Sequence, residues 1–160
     1  MRTYAQQQQT MKQVFLGLLV ILCGLKGHTQ IEDPVKWIFT VTKKSDKVYE
    51  IKVTANLQKP WHIYSQNTPE GGPLPTSFTF KTNPLITVTG TPKETGKLLV
   101  IHDKNFGVDV KYYSEKVEFV QTVTLKADVK TNITGYVEFM VCNDEKCLPP
   151  KKAAFDIKLQ

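Results

Sequence analysis

Downstream of residue 30 the sequence alternates apolar and polar side chains with a period of two, and no window of eleven or more residues there carries a 3.6-residue apolar stripe. A strand can bury that pattern on one face; a helix cannot. Val35–Thr42 sets Trp37, Phe39 and Val41 on one side, the polar run 43–47 turns the chain, and Val48–Ala55 alternates again through Tyr49, Ile51 and Val53. Further strands are expected at Ser77–Lys81, Leu85–Thr89, Lys97–Ile101, Val117–Leu125, Tyr136–Val141 and Ala153–Leu159. Breaks are expected at Pro69–Pro75, Lys126–Thr134 and Pro149–Pro150. Short strands at about ten-residue spacing, with turn signals between them, predict an all-β antiparallel sandwich or barrel. One such domain is large enough to bury a core without help from disulfides.

Charge and cysteine counts mislead until the N-terminus is read. The 160 residues hold 21 basic and 15 acidic side chains, a net +6, and three cysteines. Val14–Leu25 is a run of twelve uncharged residues, too short for a hydrocarbon layer that needs about 20. Lys12 precedes it and Lys26-Gly27-His28-Thr29-Gln30 follows, the order of a secretory signal peptide. Residues 1–29 are therefore expected to be a signal peptide cut at Thr29–Gln30, with Met11 the natural start and residues 30–160 the exported domain. Retention as a signal anchor is the alternative. Cys23 makes a poor lipidation site because bulky Leu22 precedes it. Losing residues 1–29 removes Arg2, Lys12 and Lys26 and no acid, so the charge falls to +3. Arg2 is the only arginine in the chain. Nucleic-acid readers depend on arginine forks, so nucleic acid is excluded as a partner.

Cys23 leaves as well, and the exported domain keeps one pair, Cys142 and Cys147. A strand runs into Cys142, four polar residues turn the chain, and Cys147 begins the return. Cysteines at the mouth of a hairpin meet disulfide geometry, and an oxidising compartment favours the bond. Three readings remain open on spacing alone: a redox pair, a structural staple, or half of a metal site. A loop of about six residues gives roughly 2 kcal/mol of chain-entropy stabilisation, against about 4.7 for a 100-residue loop. A metal would need His62 or His102 to converge on the pair, and no second Cys-x-x-Cys or His-x-x-x-His supports it. Both histidines are isolated in the sequence and read as strand or loop residues. No cofactor motif is present, and neither a Gly-rich phosphate loop nor a Ser/His/Asp spacing appears.

The segment VEFMVCNDEKCLPP, residues 137–150, resembles the N-terminal periplasmic domain of the thiol:disulfide interchange protein DsbD. Pro60-Trp61-His62-Ile63-Tyr64 is similar to that family's aromatic strand beside the cysteines, and Asp103-Lys104-Asn105-Phe106-Gly107 to its cap loop. The resemblance covers roughly residues 35–160 and implies an immunoglobulin-like sandwich. It further implies that Cys147 forms the mixed disulfide with a partner and that Cys142 resolves it. Phe106 would be the cap with Asp103 at its base, and Tyr64 and His62 would line the site. The implied partners are thioredoxin-like and disulfide-isomerase proteins of the periplasm, including those of cytochrome maturation, fed by a membrane electron conductor. Asn105 stands where the family often has phenylalanine. No polytopic conductor or thioredoxin-like segment follows in this sequence, so the donor is expected on another polypeptide, and the domain is expected to be a monomer.

Asp144 and Glu145 flank the pair, opposed by Lys146, so a thiol of ordinary or raised pKa is expected rather than an activated one. Exchange would then depend on the partner's thiol and on opening of the cap. The contrasting reading is a non-catalytic envelope binding module whose hairpin disulfide is only structural.

Overall fold

The computed structural model describes residues 32–104 and 106–160; the expected signal peptide and Asn105 lie outside the described residues. The alternating segments become β1 (Val35–Lys43), β2 (Val48–Leu57), β3 (His62–Tyr64), β4 (Ser77–Phe80), β5 (Ile86–Val88), β6 (Lys93–Asp103), β7 (Val108–Leu125), β8 (Thr131–Phe139), β9 (Val141–Cys142) and β10 (Lys151–Leu159). All pairings are antiparallel, and they form two sheets.

β7 is the spine of the larger sheet. One of its edges carries β2 along residues 116–124 and β3 along residues 112–114; the other carries β6 and β5. β1 extends the sheet beyond β2, and β9 extends it beyond β3. The smaller sheet runs β10-β8-β4. Between the two lies an aromatic core: Trp37 meets Phe139 at 5.1 Å between ring centroids, Phe39 meets Phe155 at 5.6 Å, and Phe78 meets Phe119 at 5.1 Å. Ile51, Val117, Phe119, Val123, Ile133 and Val137 are fully buried there. Trp61 is buried too, so both tryptophans belong to the core rather than to a surface platform.

Three departures from the sequence expectation matter for function. First, β7 begins nine residues earlier than the expected Val117. The doublet Tyr112-Tyr113 breaks the period of two, because Tyr113 faces the main core while half-buried Tyr112 packs on the opposite face of the sheet. Glu115, between the residues of β7 that pair with β2 and those that pair with β3, takes φ 72° and pairs with Lys59 at 3.0 Å. Second, the break expected at Lys126–Thr134 is shorter, since β8 already starts at Thr131. Third, the strand expected at Tyr136–Val141 is two strands in two sheets. Phe139 pairs with Lys151 in the smaller sheet, whereas Val141 pairs with Ile63 in the larger one. The chain changes sheets at Met140, as strands do at sandwich corners. That crossing delivers Cys142 to the edge of the larger sheet.

β8 also shows why glycine sits at 135. Its ladder partners are Phe80 on one side and Phe155 on the other, and their rings close over it 5.7 Å apart. A Cβ there would collide with the Thr79 carbonyl oxygen and the Phe155 ring. Gly135→Ala is expected to lower unfolding stability by about 1–3 kcal/mol, the range for overpacked cores. Urea denaturation of the purified domain measures it, and an unchanged midpoint would show that the two rings yield freely.

Candidate functional site

Period-two geometry gives β3 two buried faces with different jobs. Ile63 points to the main core together with Tyr113 and Val141, and all three are nearly or fully inaccessible. His62 and Tyr64 therefore point the other way. Residues paired across the ladders share a face, and the pairs His62–Cys142, Tyr64–Tyr112 and Ile101–Val110 bring His62, Tyr64, Ile101, Val110 and Cys142 to the wall of one cleft. Tyr64, Val110 and Cys142 form a second, smaller buried cluster there, with Val108, Tyr112 and Met140 packed against it.

Cys142 and Cys147 are joined by a disulfide, with Cα atoms 4.0 Å apart and an isolated antiparallel bridge between them. The turn is built by Asn143. Its side-chain oxygen accepts the Glu145 amide at 2.9 Å and the Lys146 amide at 2.8 Å, and its own amide donates to the Lys146 carbonyl at 2.9 Å. The Leu148 amide donates to the Val141 carbonyl and closes the base of the turn. The two half-cystines differ sharply in environment. Cys142 is 2% exposed, while Cys147 lies on the exposed side of the turn with Asp144, Glu145 and Lys146.

The six residues singled out from the sequence, His62, Tyr64, Asp103, Phe106, Cys142 and Cys147, all line one open cleft of about 380 Å³. Asp103 ends β6, where its carboxylate accepts the Phe106 amide at 3.4 Å and its carbonyl accepts the Gly107 amide at 2.7 Å. Gly107 takes φ 70°, a conformation that suits a residue without Cβ. Phe106 is 42% exposed at the cleft rim, beside Ile101 at 45%. His102 lies outside the cleft and pairs with Asp109 at 2.9 Å. Among the described residues no group of three His, Cys, Asp or Glu side chains is arranged to hold a metal ion.

The His62 ring packs 4.6 Å from the Tyr112 ring, and its Nε2 lies 3.3 Å from the Tyr64 hydroxyl. Burial holds the imidazole below its ordinary value of 6.5, while the Asp144 and Asp103 carboxylates pull weakly the other way. Burial, then the Asp103 and Tyr112 side chains, push the Tyr64 hydroxyl up to about 12.

Sequence reading missed the groups that set this geometry. An Asn-Asp pair after a strand is a turn signal, and it could have pointed to Asn143. Glu94 gave no local signal. Its half-buried carboxylate accepts the Ser65 hydroxyl at 2.6 Å, the Gln66 amide and the Tyr113 hydroxyl at 3.0 Å, tying the end of β3 to β6. The proline-rich segment that follows lies over the same face: Gly72 comes close to Val108 and Val110, and the Thr68 hydroxyl donates to the Lys111 carbonyl at 2.7 Å.

The sequence profile of the family described as thiol:disulfide interchange protein DsbD, N-terminal, matches residues 29–159. Among solved structures, the N-terminal periplasmic domain of ScsB from Proteus mirabilis superposes with a TM-score of 0.59 at 16% identity, covering 79% of this chain and 47% of that one. The chain thus spans about half the length of that relative. The N-terminal domain of DsbD from Neisseria meningitidis, in its reduced form, gives 0.51 at 16% identity, covering 76% and 83%. At such identities the likeness establishes the fold, an immunoglobulin-like sandwich. No curated protein matches the chain in sequence.

The lowered pKa of His62 makes stability depend on pH. Below about 6.5 the unfolded chain takes up this proton before the folded one does, so stability present above that value is lost as the pH falls toward the folded pKa. The urea midpoint of the oxidised domain should fall between about pH 7 and pH 5, and fall less in His62→Phe. Equal falls in the two proteins would show that His62 carries none of the dependence.

Proposed function

The chain belongs to the family of DsbD N-terminal thiol:disulfide interchange domains, and from that premise we propose that it passes electrons to exported proteins through the Cys142–Cys147 pair. The observation that carries this reading is the unequal burial of the two half-cystines within one open cleft. Disulfide exchange needs one sulfur open to in-line attack and a second held close enough to displace the partner. Exposed Cys147 suits the first role and buried Cys142 the second.

In the reduced domain, the Cys147 thiolate attacks a partner disulfide, forms a mixed disulfide and expels one partner thiolate. Cys142 then attacks the Cys147 sulfur, the intermolecular bond breaks, and the second partner thiolate leaves. Two electrons have moved to the partner, and the domain is left oxidised. Phe106 and Ile101, exposed at the rim, give an approaching protein an apolar landing. Phe106 acts as the cap, positioned by Asp103. Tyr64 and His62 form the wall behind the bond. The partners are thioredoxin-like and disulfide-isomerase proteins of the periplasm, and the electrons arrive from a membrane conductor on another chain. The domain works as a monomer in the periplasm after export. Among the described residues no helix is long and apolar enough to cross a membrane.

The resolving role of Cys142 is tested by Cys142→Ser. That variant should accumulate a mixed disulfide with an oxidised thioredoxin-like protein, stable to non-reducing electrophoresis. Cys147→Ser should give none. Reduced wild-type protein should be alkylated at Cys147 before Cys142, as peptide mass analysis would read. Trapping through Cys142 alone would reverse the assignment, and trapping through neither would remove the exchange reading.

A further inference from the structure

Cys142 can resolve a mixed disulfide only as a thiolate. Its surroundings oppose that form: it packs with Tyr64, Val110, Tyr112 and Met140 and is 2% exposed, and burial among apolar groups favours the neutral thiol. A base within the cleft would ease that loss of the proton. His62 stands directly opposite Cys142 in the β3–β9 ladder. Residues so paired have Cβ atoms about 4.5–5.5 Å apart on the same face. Packing against Tyr112 and the contact with Tyr64 fix the ring's position. Ser114 is its ladder partner on β7, and Asp103 from β6 and Asp144 from the cysteine turn line the same region.

Resting on the exchange reading above, we propose that His62 is the proton acceptor for Cys142, its Nε2–H donated to the Tyr64 hydroxyl and its Nδ1 lone pair taking the thiol proton during resolution. The step balances. Cys142 S–H gives its proton to Nδ1, and the sulfur electron pair forms the bond to Cys147. The intermolecular S–S pair leaves with the partner's sulfur, and imidazolium then returns the proton to solvent. In the opposite direction imidazolium protonates Cys142 as an incoming thiolate opens the bond at Cys147. Burial keeps His62 neutral near pH 7 and so ready to accept. The raised Tyr64 keeps its hydroxyl neutral as a partner for Nε2 across the same range.

Isolated histidine was an unremarkable strand residue in the sequence; the change of sheets at Met140 is what sets it against a cysteine.

Reduced full-length domain mixed with dithiobis(nitrobenzoate) separates the steps. The first nitrothiobenzoate released reports attack by Cys147, and the second reports closure by Cys142. In His62→Phe, which keeps an aromatic ring against Tyr112, the second phase should slow relative to the first by about 100-fold near pH 7, the low end of what a positioned base contributes. It should then climb with pH toward the titration of the Cys142 thiol itself, whereas the wild-type rate should level off at lower pH. His62→Gln is the second variant, should the phenylalanine protein fail to fold. Wild-type phase ratios and pH profiles in a folded variant would overturn the role of His62 alone. Absence of a second equivalent from the wild-type protein would overturn the exchange reading and this proposal together.

Discussion

Two ladder pairs, Ile63 with Val141 and His62 with Cys142, hold the cysteine turn to the sheet, and the rest of the cleft follows from them. Ile63 and Val141 are buried in the main core, and fully burying such a side chain is worth about 1.5–3 kcal/mol. That fixes the base of the turn while its tip stays exposed. It also fixes the face. With Ile63 committed to the core, His62, Tyr64 and Cys142 must point to the other side of the sheet. A slip of one residue would send them into the core and the isoleucine into the cleft.

The disulfide closes only a short loop, between residues five apart in sequence. Closing a loop of about six residues limits the unfolded chain by roughly 2 kcal/mol, whereas the aromatic core between the sheets joins β1, β4, β7, β8 and β10 directly. None of those ring contacts runs through the bond. Its two ends answer to different environments: Cys142 shares the small apolar cluster behind the cleft, and Cys147 shares solvent with three charged neighbours. The Asn143 side chain holds the turn between them through backbone amides, so that shape does not depend on the S–S bond alone.

Much of this was legible in the sequence, and the parts that were not share a cause. Strands with one buried face, such as Val35–Lys43 and Lys151–Leu159, announced themselves by alternation. Val108–Lys116 did not, because both its faces are covered in part and the Tyr112-Tyr113 doublet hides the period. The six residues named for the cleft do converge on it, although only the cysteines carried a local signal of their own; the others came through the family resemblance. Glu94 and the change of sheets at Met140 had no signature at all. Each is a relation between segments far apart in sequence, visible only once the strands are paired. His62 shows the same limit. The role proposed for it rests on a cross-strand neighbour 80 residues away, which no spacing rule reports.

A Cys142–Cys147 bond that exists to be exchanged must sit at a potential its partners can reach. Its reduction potential tests this most directly, measured by equilibrating the domain against glutathione redox buffers and quantifying the two states after acid quench. An exchanging pair is expected between about −200 and −250 mV, within reach of thioredoxin-like partners. A value below about −300 mV would mark a structural bridge and contradict the account.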